Sequence, residues 1–598
     1  MKANKDFSQK KERLNFCLDV AGEGIVLLKN EGNILPLENA RLAVFGATQL
    51  GAQAANEGVK VDTENSVGIT EAFLKRGMEI DEPLYNEYRV WRRQFVQRTY
   101  GEWRNAHVFP ELEITAEKAL EAKNRGADTA VMVITRASYE NSDMDIEIGD
   151  YIISETERNM IKNVCSVFEN TVLILHIGCN IDLGFLDDFD IKGIIYTNHL
   201  GVNGNLSIAD IMLGKINPSG KLPVTLARHF EDYPSSANFG QHGGGLLQDY
   251  TEDIFVGYRY FETFAKEKVR YPFGYGLSYT TFDVQAALDM CSLPAGLAKG
   301  EVSKTDTLNV TYDITNTGDA AGKETIQLYV QKPQGFLGKP SRELIRFAKT
   351  ELLEPGEGES GILAIDFYAL SSYDDNGITG HAFCYVLEEG TYTILAGTNV
   401  RNAKEIGSFA LTETVVLEEL SQQLAPRRHL ERMTPKTNED GTLVPIIQAA
   451  PVYLQHYSED TCPQCTDYTG DKGYKLDDVK RGIVSMDEFL AQLSDLDLCH
   501  IVKGEGMSSP KVTPGTAAAF GGLTPNLTYF GIPAGCCTDG PSGLRMDCGT
   551  NAFSLPGGTL LACTFNTSLN ADLFEMEGIE MRNNHIESLL GPGMNIHR

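Results

Sequence analysis

The strongest constraint on this chain is a set of apolar runs spaced by helix-sized gaps. RLAVFGATQ (41–49), ADTAVMVITR (127–136), ENTVLILHIG (169–178) and IKGIIYTNHLG (191–201) each hold enough apolar residues for a strand. Such runs, with helical stretches between them, predict a mostly parallel sheet whose two faces are both covered. Between the second and third, SETERNMIKNVCSVF opens with Ser154 and Glu157 at capping-box spacing, then places apolar residues at helical intervals. Residues 12 to about 230 therefore read as an open α/β domain.

The pattern changes after residue 300. TLNVTYDITNTGDAAGKETIQLYVQK alternates apolar and polar residues around an Asn-Thr-Gly turn, and ELIRFAKTELLEPGEGESGILAI and GTYTILAGT do the same. No long helix interrupts them, which predicts a β-sandwich of roughly 110 residues. The polar, proline-bearing QQLAPRRHLERMTPKTNEDG then reads as a linker. Beyond it, helical SMDEFLAQLSDLDLCHIV and the glycine-rich GIPAGCCTDGPSGLRMD fit part of an α/β barrel. With 598 residues, roughly three or four domains are expected.

Charge narrows the partners. Fifty-two basic residues against 82 acidic ones leave a formal charge of −30. That argues against nucleic acid and anionic membranes, and suits a small neutral ligand. No apolar segment follows the basic opening residues and no window reaches spanning length, so the expectation is a cytoplasmic protein without a signal peptide. The 12 cysteines are scattered, which fits reduced thiols. Cys462 and Cys465 form a C-x-x-C with Cys499 well downstream, but no second ligand pair sits at zinc spacing. No metal or cofactor is expected, and self-association is left open.

Two places carry candidate chemistry. Glu140 lies in RASYENSDMDIEIGD, after an apolar strand and before the capped helix, where open α/β sheets bind ligands. A closed or apolar site would raise its pKa and make it a general acid. It equally reads as one of several surface carboxylates, with Asp143, Asp145 and Glu147 beside it. Asp539 and Arg545 in TDGPSGLR can hold sugar hydroxyls by charge-assisted hydrogen bonds, or form an ordinary turn with a surface ion pair.

The blocks AGEGIVLLKNEGNILPL, ADIMLGKINPSGKLPVTL, DIFVGYRYFE, YPFGYGLSYTTF, NTGDAAGKETIQLYV, GKPSRELIRFAKTELLEPGE and TDGPSGLR together resemble glycoside hydrolase family 3, the β-glucosidases and their relatives. The order resembles the circularly permuted branch of that family. It implies an α/β sandwich domain over 1–285 and a fibronectin type III-like β-sandwich over 300–415. A linker over 416–440 and the first part of a (β/α)8 barrel over 441–598 complete the expected layout.

The resemblance also assigns roles. Arg136, Ser138, Glu140 and Asp143 match the family's R-x-S-x-E-x-x-D stretch, making Glu140 the general acid/base. Asp539 and Arg545 match the turn that binds the nonreducing-end sugar. Retaining glycosidases need a second carboxylate about 5–5.5 Å away as nucleophile. The family takes it from a Ser-Asp-Trp context after LLGPGMNIHR, so it is expected beyond Arg598 and the chain is expected to be truncated and inactive. Asp547 reads as a local turn or salt-bridge residue. The implied substrate is a terminal β-D-glucosyl residue of a small neutral saccharide or glycoside. β-Xylosidase, α-arabinosidase, β-N-acetylglucosaminidase and a catalytically dead carbohydrate-binding protein are the alternatives.

Overall fold

The computed structural model describes residues 7, 9–50, 67–99, 110–136, 144, 146, 148–239, 248–422, 429–450, 466–546 and 552–593. Its first part is one six-stranded sheet with helices on both faces. In chain order the elements are α1 (Lys10–Gly24), β1 (Val26–Asn30), β2 (Arg41–Phe45), α2 (Ile69–Lys75), β3 (Glu79–Ile80) and α3 (Glu82–Thr99). They continue with α4 (Ala116–Asn124), β4 (Thr129–Arg136), α5 (Glu155–Cys165), β5 (Asn170–Ile177), β6 (Gly193–Thr197) and α6 (Asn205–Met212). The strand order is β1-β6-β5-β4-β2-β3. Every pair is parallel except β1 with β6.

Strand β4 shows why the apolar runs read so clearly. All of its residues are buried. Ala130, Met132 and Ile134 enter the core beneath α3, α4 and α5, while Val131 and Val133 enter the one beneath α1, α2 and α6. A strand buried on both faces admits polar residues only where they find partners, as Thr129, Thr135 and Arg136 do near its ends. Each buried Val, Ile or Leu stabilises by about 1.5–3 kcal/mol. The expected capping box is formed: Ser154 Oγ accepts from Glu157 N, and Glu157 Oε2 accepts from Ser154 N.

A short pair, β7 (Leu226–Ala227) and β8 (Val269–Tyr271), precedes the sandwich. One sandwich sheet joins β9 (Phe282–Asp289), β10 (Thr307–Asn316) and β13 (Gly358–Asp366). The facing sheet joins β11 (Thr325–Gln331), β12 (Glu343–Lys349), β16 (Gly390–Gly397) and β17 (Lys404–Leu411). Leu308, Val310 and Ile314 of β10 meet Ile326, Leu328 and Val330 of β11 in one core. A third sheet holds β14 (Ser372–Asp374), β15 (Cys384–Leu387) and β18 (Val415–Glu419).

Two expected boundaries fall inside strands. β9 spans the boundary at 285 and pairs along β10. The stretch taken as a linker, 416–440, contains most of β18 and all of β19 (Glu431–Thr437), which forms a hairpin with β20 (Leu443–Ala449). Its prolines suggested a break, but Pro435 stands opposite Pro445 in a two-stranded hairpin, where missing amide donors are tolerated at free edges.

The last part does not form an evident barrel among the described residues. Its sheet is β21 (Ala518–Gly521), β22 (Ala534–Asp539) and β23 (Ser588–Leu590), and only β22 and β23 run parallel. The helices Gly558–Cys563 and Thr567–Asn583 place Leu561, Leu573 and Met576 against Phe16, Cys17 and Val20 of α1. Their apolar faces thus pack on the first domain.

A buried polar cluster joins the three parts. Glu23 of α1 accepts from Lys323 Nζ at 2.6 Å and from Asn566 Nδ2 at 2.7 Å. Lys349 Nζ lies 3.6 Å from Glu23 and donates to Ser219 O at 2.9 Å and Thr564 O at 2.8 Å. Burial lowers the Lys349 ammonium to about 8 against the opposing pull of Glu23. Burial raises Glu23, but Lys349 and Lys323 outweigh it and hold that carboxyl below its ordinary value.

Glu577 and Glu580 are buried on the helix Thr567–Asn583, and burial raises both carboxyls to about 7 from an ordinary 4.5. The native state therefore holds more protons than the unfolded chain between those values, so stability from these groups is lost as pH rises from 4.5 through 7. Glu577→Gln removes one of these ionisations. Its unfolding free energy relative to the parent is expected to rise by about 1–3 kcal/mol between pH 5 and pH 8, read by urea titration. A relative stability that does not change with pH would disprove this.

Candidate active site

Ligands bind open α/β sheets beyond the carboxyl ends of the strands. Here those ends are Arg136, Ile177 and Thr197. Arg136 is 1% exposed and donates from Nη1 and Nη2 to the two Glu157 oxygens, both at 2.8 Å. Its Nε donates to Asp150 O at 2.7 Å, and Nη1 also reaches Thr135 O at 2.9 Å. Glu140 lies four residues beyond Arg136 and outside the described residues, as do Ser138, Asp143, Cys462, Cys465 and Asp547.

Two histidines occupy the neighbouring strand ends. His176 is buried on β5, and burial lowers it to about 4. His199 follows β6 and is also lowered to about 4, by burial and then by His176. Gly201 N donates to His199 Nδ1 at 3.0 Å, so the neutral ring carries its proton on Nε2. Asn198 ties the two strand ends together, donating to Ile177 O at 2.9 Å and accepting from His199 N at 2.8 Å. Sequence reading passed over these residues, because a histidine inside an apolar run is indistinguishable from a core residue.

The last part of the chain docks on this edge. Val202 N donates to Ser554 O at 2.8 Å and Gly557 N to His199 O at 2.9 Å. Leu555 N donates to Ser542 O at 2.8 Å, which ties the same segment to the TDGPSGLR turn. In that turn Arg545 N donates to Asp539 O at 2.8 Å, and Thr538 Oγ1 to Arg545 O at 2.7 Å. The Arg545 Nη1 to Asp539 Oδ2 separation is 3.5 Å, with the side chains 36% and 38% exposed. At that length the contact is a loose ion pair, so a carboxylate and a guanidinium are presented together to hydroxyl-bearing ligands. Strand β23 runs beside the turn, with Leu590 in register with Asp539.

No group of three or more His, Cys, Asp or Glu suited to a metal occurs among the described residues. Cys536 and Cys537 are buried neighbours on β22, which directs their side chains to opposite faces. No described helix is long and apolar enough to cross a membrane.

The sheet with its covered faces and the β-sandwich agree with what comparison finds. Residues 25–279 match the glycosyl hydrolase family 3 C-terminal domain, and residues 324–400 match a fibronectin type III-like domain. The chain belongs to glycosyl hydrolase family 3. A β-glucosidase of Ruminococcus albus is 43% identical over 98% of this chain and 60% of its own length. β-Glucosidase A of Butyrivibrio fibrisolvens is 32% identical, over 98% of this chain and 75% of its own. Among solved structures, a β-glucosidase from Paenibacillus barengoltzii is 38% identical with a TM-score of 0.91, covering 98% of this chain and 64% of its own. The chain thus spans under two thirds of the Ruminococcus and Paenibacillus proteins.

Gly543 holds the turn in a conformation with φ +97°, and a Cβ there would lie 2.1 Å from Phe553 O. Gly441, in the β19–β20 hairpin, has φ +84° and open space around it. Alanine at either position meets the backbone cost of about 1–3 kcal/mol, but only at 543 does a main-chain clash add to it. Gly543→Ala is expected to lower the thermal unfolding midpoint well beyond Gly441→Ala. Equal losses would mean that the Phe553 carbonyl does not shape the turn.

Proposed function

We propose that this chain is part of a retaining β-glucosidase that removes terminal β-D-glucosyl residues from small neutral saccharides or glycosides. The observation that carries the reading is the docking of the TDGPSGLR turn, through Ser542, Leu555 and Ser554, onto the carboxyl edge of the sheet. That contact brings the sugar-holding pair, Asp539 and Arg545, to the domain from which β4 leads toward Glu140. In this reading Glu140 is the general acid/base. Asp539 and Arg545 bind hydroxyls of the nonreducing-end sugar.

The domain order is that of a circularly permuted member. In support, the Ruminococcus and Paenibacillus matches run over 98% of this chain. The Thermotoga neapolitana β-glucosidase 3B structure, solved with α-D-glucose, matches over 67%, at 33% identity and a TM-score of 0.58. The nucleophile is an aspartate outside these 598 residues. The chain's two tryptophans are Trp91 and Trp103, and neither follows a Ser-Asp pair.

The purified 598-residue chain is therefore expected to show no turnover of a chromogenic β-glucoside above background. In this reading the acid can protonate the leaving oxygen, but the carboxylate that attacks the anomeric carbon is not among these residues. Robust activity that Glu140→Gln abolishes would refute the claim about the nucleophile. In the full-length enzyme, Glu140→Gln is expected to lower kcat/KM about 10²- to 10⁴-fold on alkyl glucosides. Activated aryl glucosides, whose leaving groups need little proton, should lose much less. Equal loss on both would remove Glu140 from the role.

A further inference from the structure

Arg136 is the last residue of β4, and the chain is described continuously again from Ile148. The two stems of the intervening stretch are tied together by one guanidinium. Its Nε donates to Asp150 O on the returning stem at 2.7 Å, and its two terminal nitrogens engage Glu157 of α5 bidentately. The returning stem is itself fixed: Gly149 N donates to Ile152 O at 2.6 Å, and Asp182 N, beyond β5, donates to Tyr151 O at 2.9 Å. Glu157 is held in turn by the Ser154 amide at 2.7 Å, so the helix cap and the clamp share one carboxylate.

Both charged side chains are almost fully buried, at 1% for Arg136 and 6% for Glu157. A buried ion pair is a weak source of net stability, because desolvating two ions offsets most of their attraction. What it does supply is geometry. The planar fork fixes the distance and angle between two stems, which a point-charged lysine does not reproduce.

We infer that Arg136 and Glu157 are positioning residues for general-acid catalysis, setting the direction in which the segment bearing Glu140 leaves and rejoins the sheet. The inference rests on the assignment of Glu140 as acid/base. Neither residue touches substrate in this scheme. Their effect appears only in the step that needs a correctly aimed proton.

The test uses the full-length enzyme and two variants, Arg136→Lys and Glu157→Asp. The second keeps the charge pair, shortens its reach by one methylene, and serves if the first fails to fold. Each is expected to lower kcat/KM on alkyl glucosides about 10- to 100-fold, a fraction of what a general acid supplies. On activated aryl glucosides, whose leaving groups need little proton, the expected loss in kcat/KM is under about threefold. Equal loss on the two substrate types would mark a merely structural pair and overturn the inference, as would no loss on either. Glu140→Gln measured alongside separates the claims. Selective loss there with uniform loss in both clamp variants sinks the clamp alone, whereas no selectivity in Glu140→Gln sinks the acid assignment on which it rests.

Discussion

The arrangement of this molecule depends on a carboxylate with no single domain to itself. Glu23 sits at the end of α1 and is met by lysines from the β-sandwich and an asparagine from the last part of the chain. Its side chain is 9% exposed and that of Lys349 is 1%. Removing one member of such a cluster leaves a buried charge uncompensated, at a cost on the order of 3–5 kcal/mol. That is a large fraction of the roughly 5–15 kcal/mol by which native proteins are stable. Lys221 and Glu324 repeat the device across the first two parts, 2.8 Å apart and also buried. Three separately patterned stretches are thereby held in one relative placement.

That placement gives the edge of the sheet its chemistry. With α1 and the helix Gly558–Cys563 fixed together, the segment 553–557 lies against His199 and Val202. The TDGPSGLR turn follows, because Ser542 is bonded to that segment. The half-exposed pair of Asp539 and Arg545 thus reaches the α/β domain through main-chain hydrogen bonds, which do not depend on side-chain identity. Such a joint transmits position well and tolerates sequence change, in contrast to the Glu23 cluster, where each side chain matters.

The last part of the chain shows the other side of this economy. Its three strands make one parallel and one antiparallel pair, and the helices Gly558–Cys563 and Thr567–Asn583 bury apolar residues on α1. Several large apolar side chains stay in solvent, among them Leu496 at 66% and Val502 at 89%. Its own cores are small, one around Phe489, Leu493 and Phe530 and one around Cys536, Leu544 and Ile586.

The sequence by itself determined the local architecture. Runs such as ADTAVMVITR had to become doubly buried strands, because no polar residue interrupts residues 130–134. The Ser154–Glu157 spacing had to cap α5, because both partners lie within one turn. Alternation in TLNVTYDITN specified a sandwich strand for the same local reason. Prolines misled the reading at 416–440, where a free-edged hairpin accommodates them, and helix-rich glycine loops suggested a barrel that is not evident among the described residues. What only the tertiary structure decided is which distant residues meet. That Glu157 serves Arg136 as well as its own helix, that His176 and His199 stand together, and that Glu23 is answered by Lys323 and Asn566 depends on separations of 21, 23, 300 and 543 residues. No periodicity or spacing reports such pairs, because they are set by how the sheet, the sandwich and the last helices pack, and packing energy is shared across the whole interface.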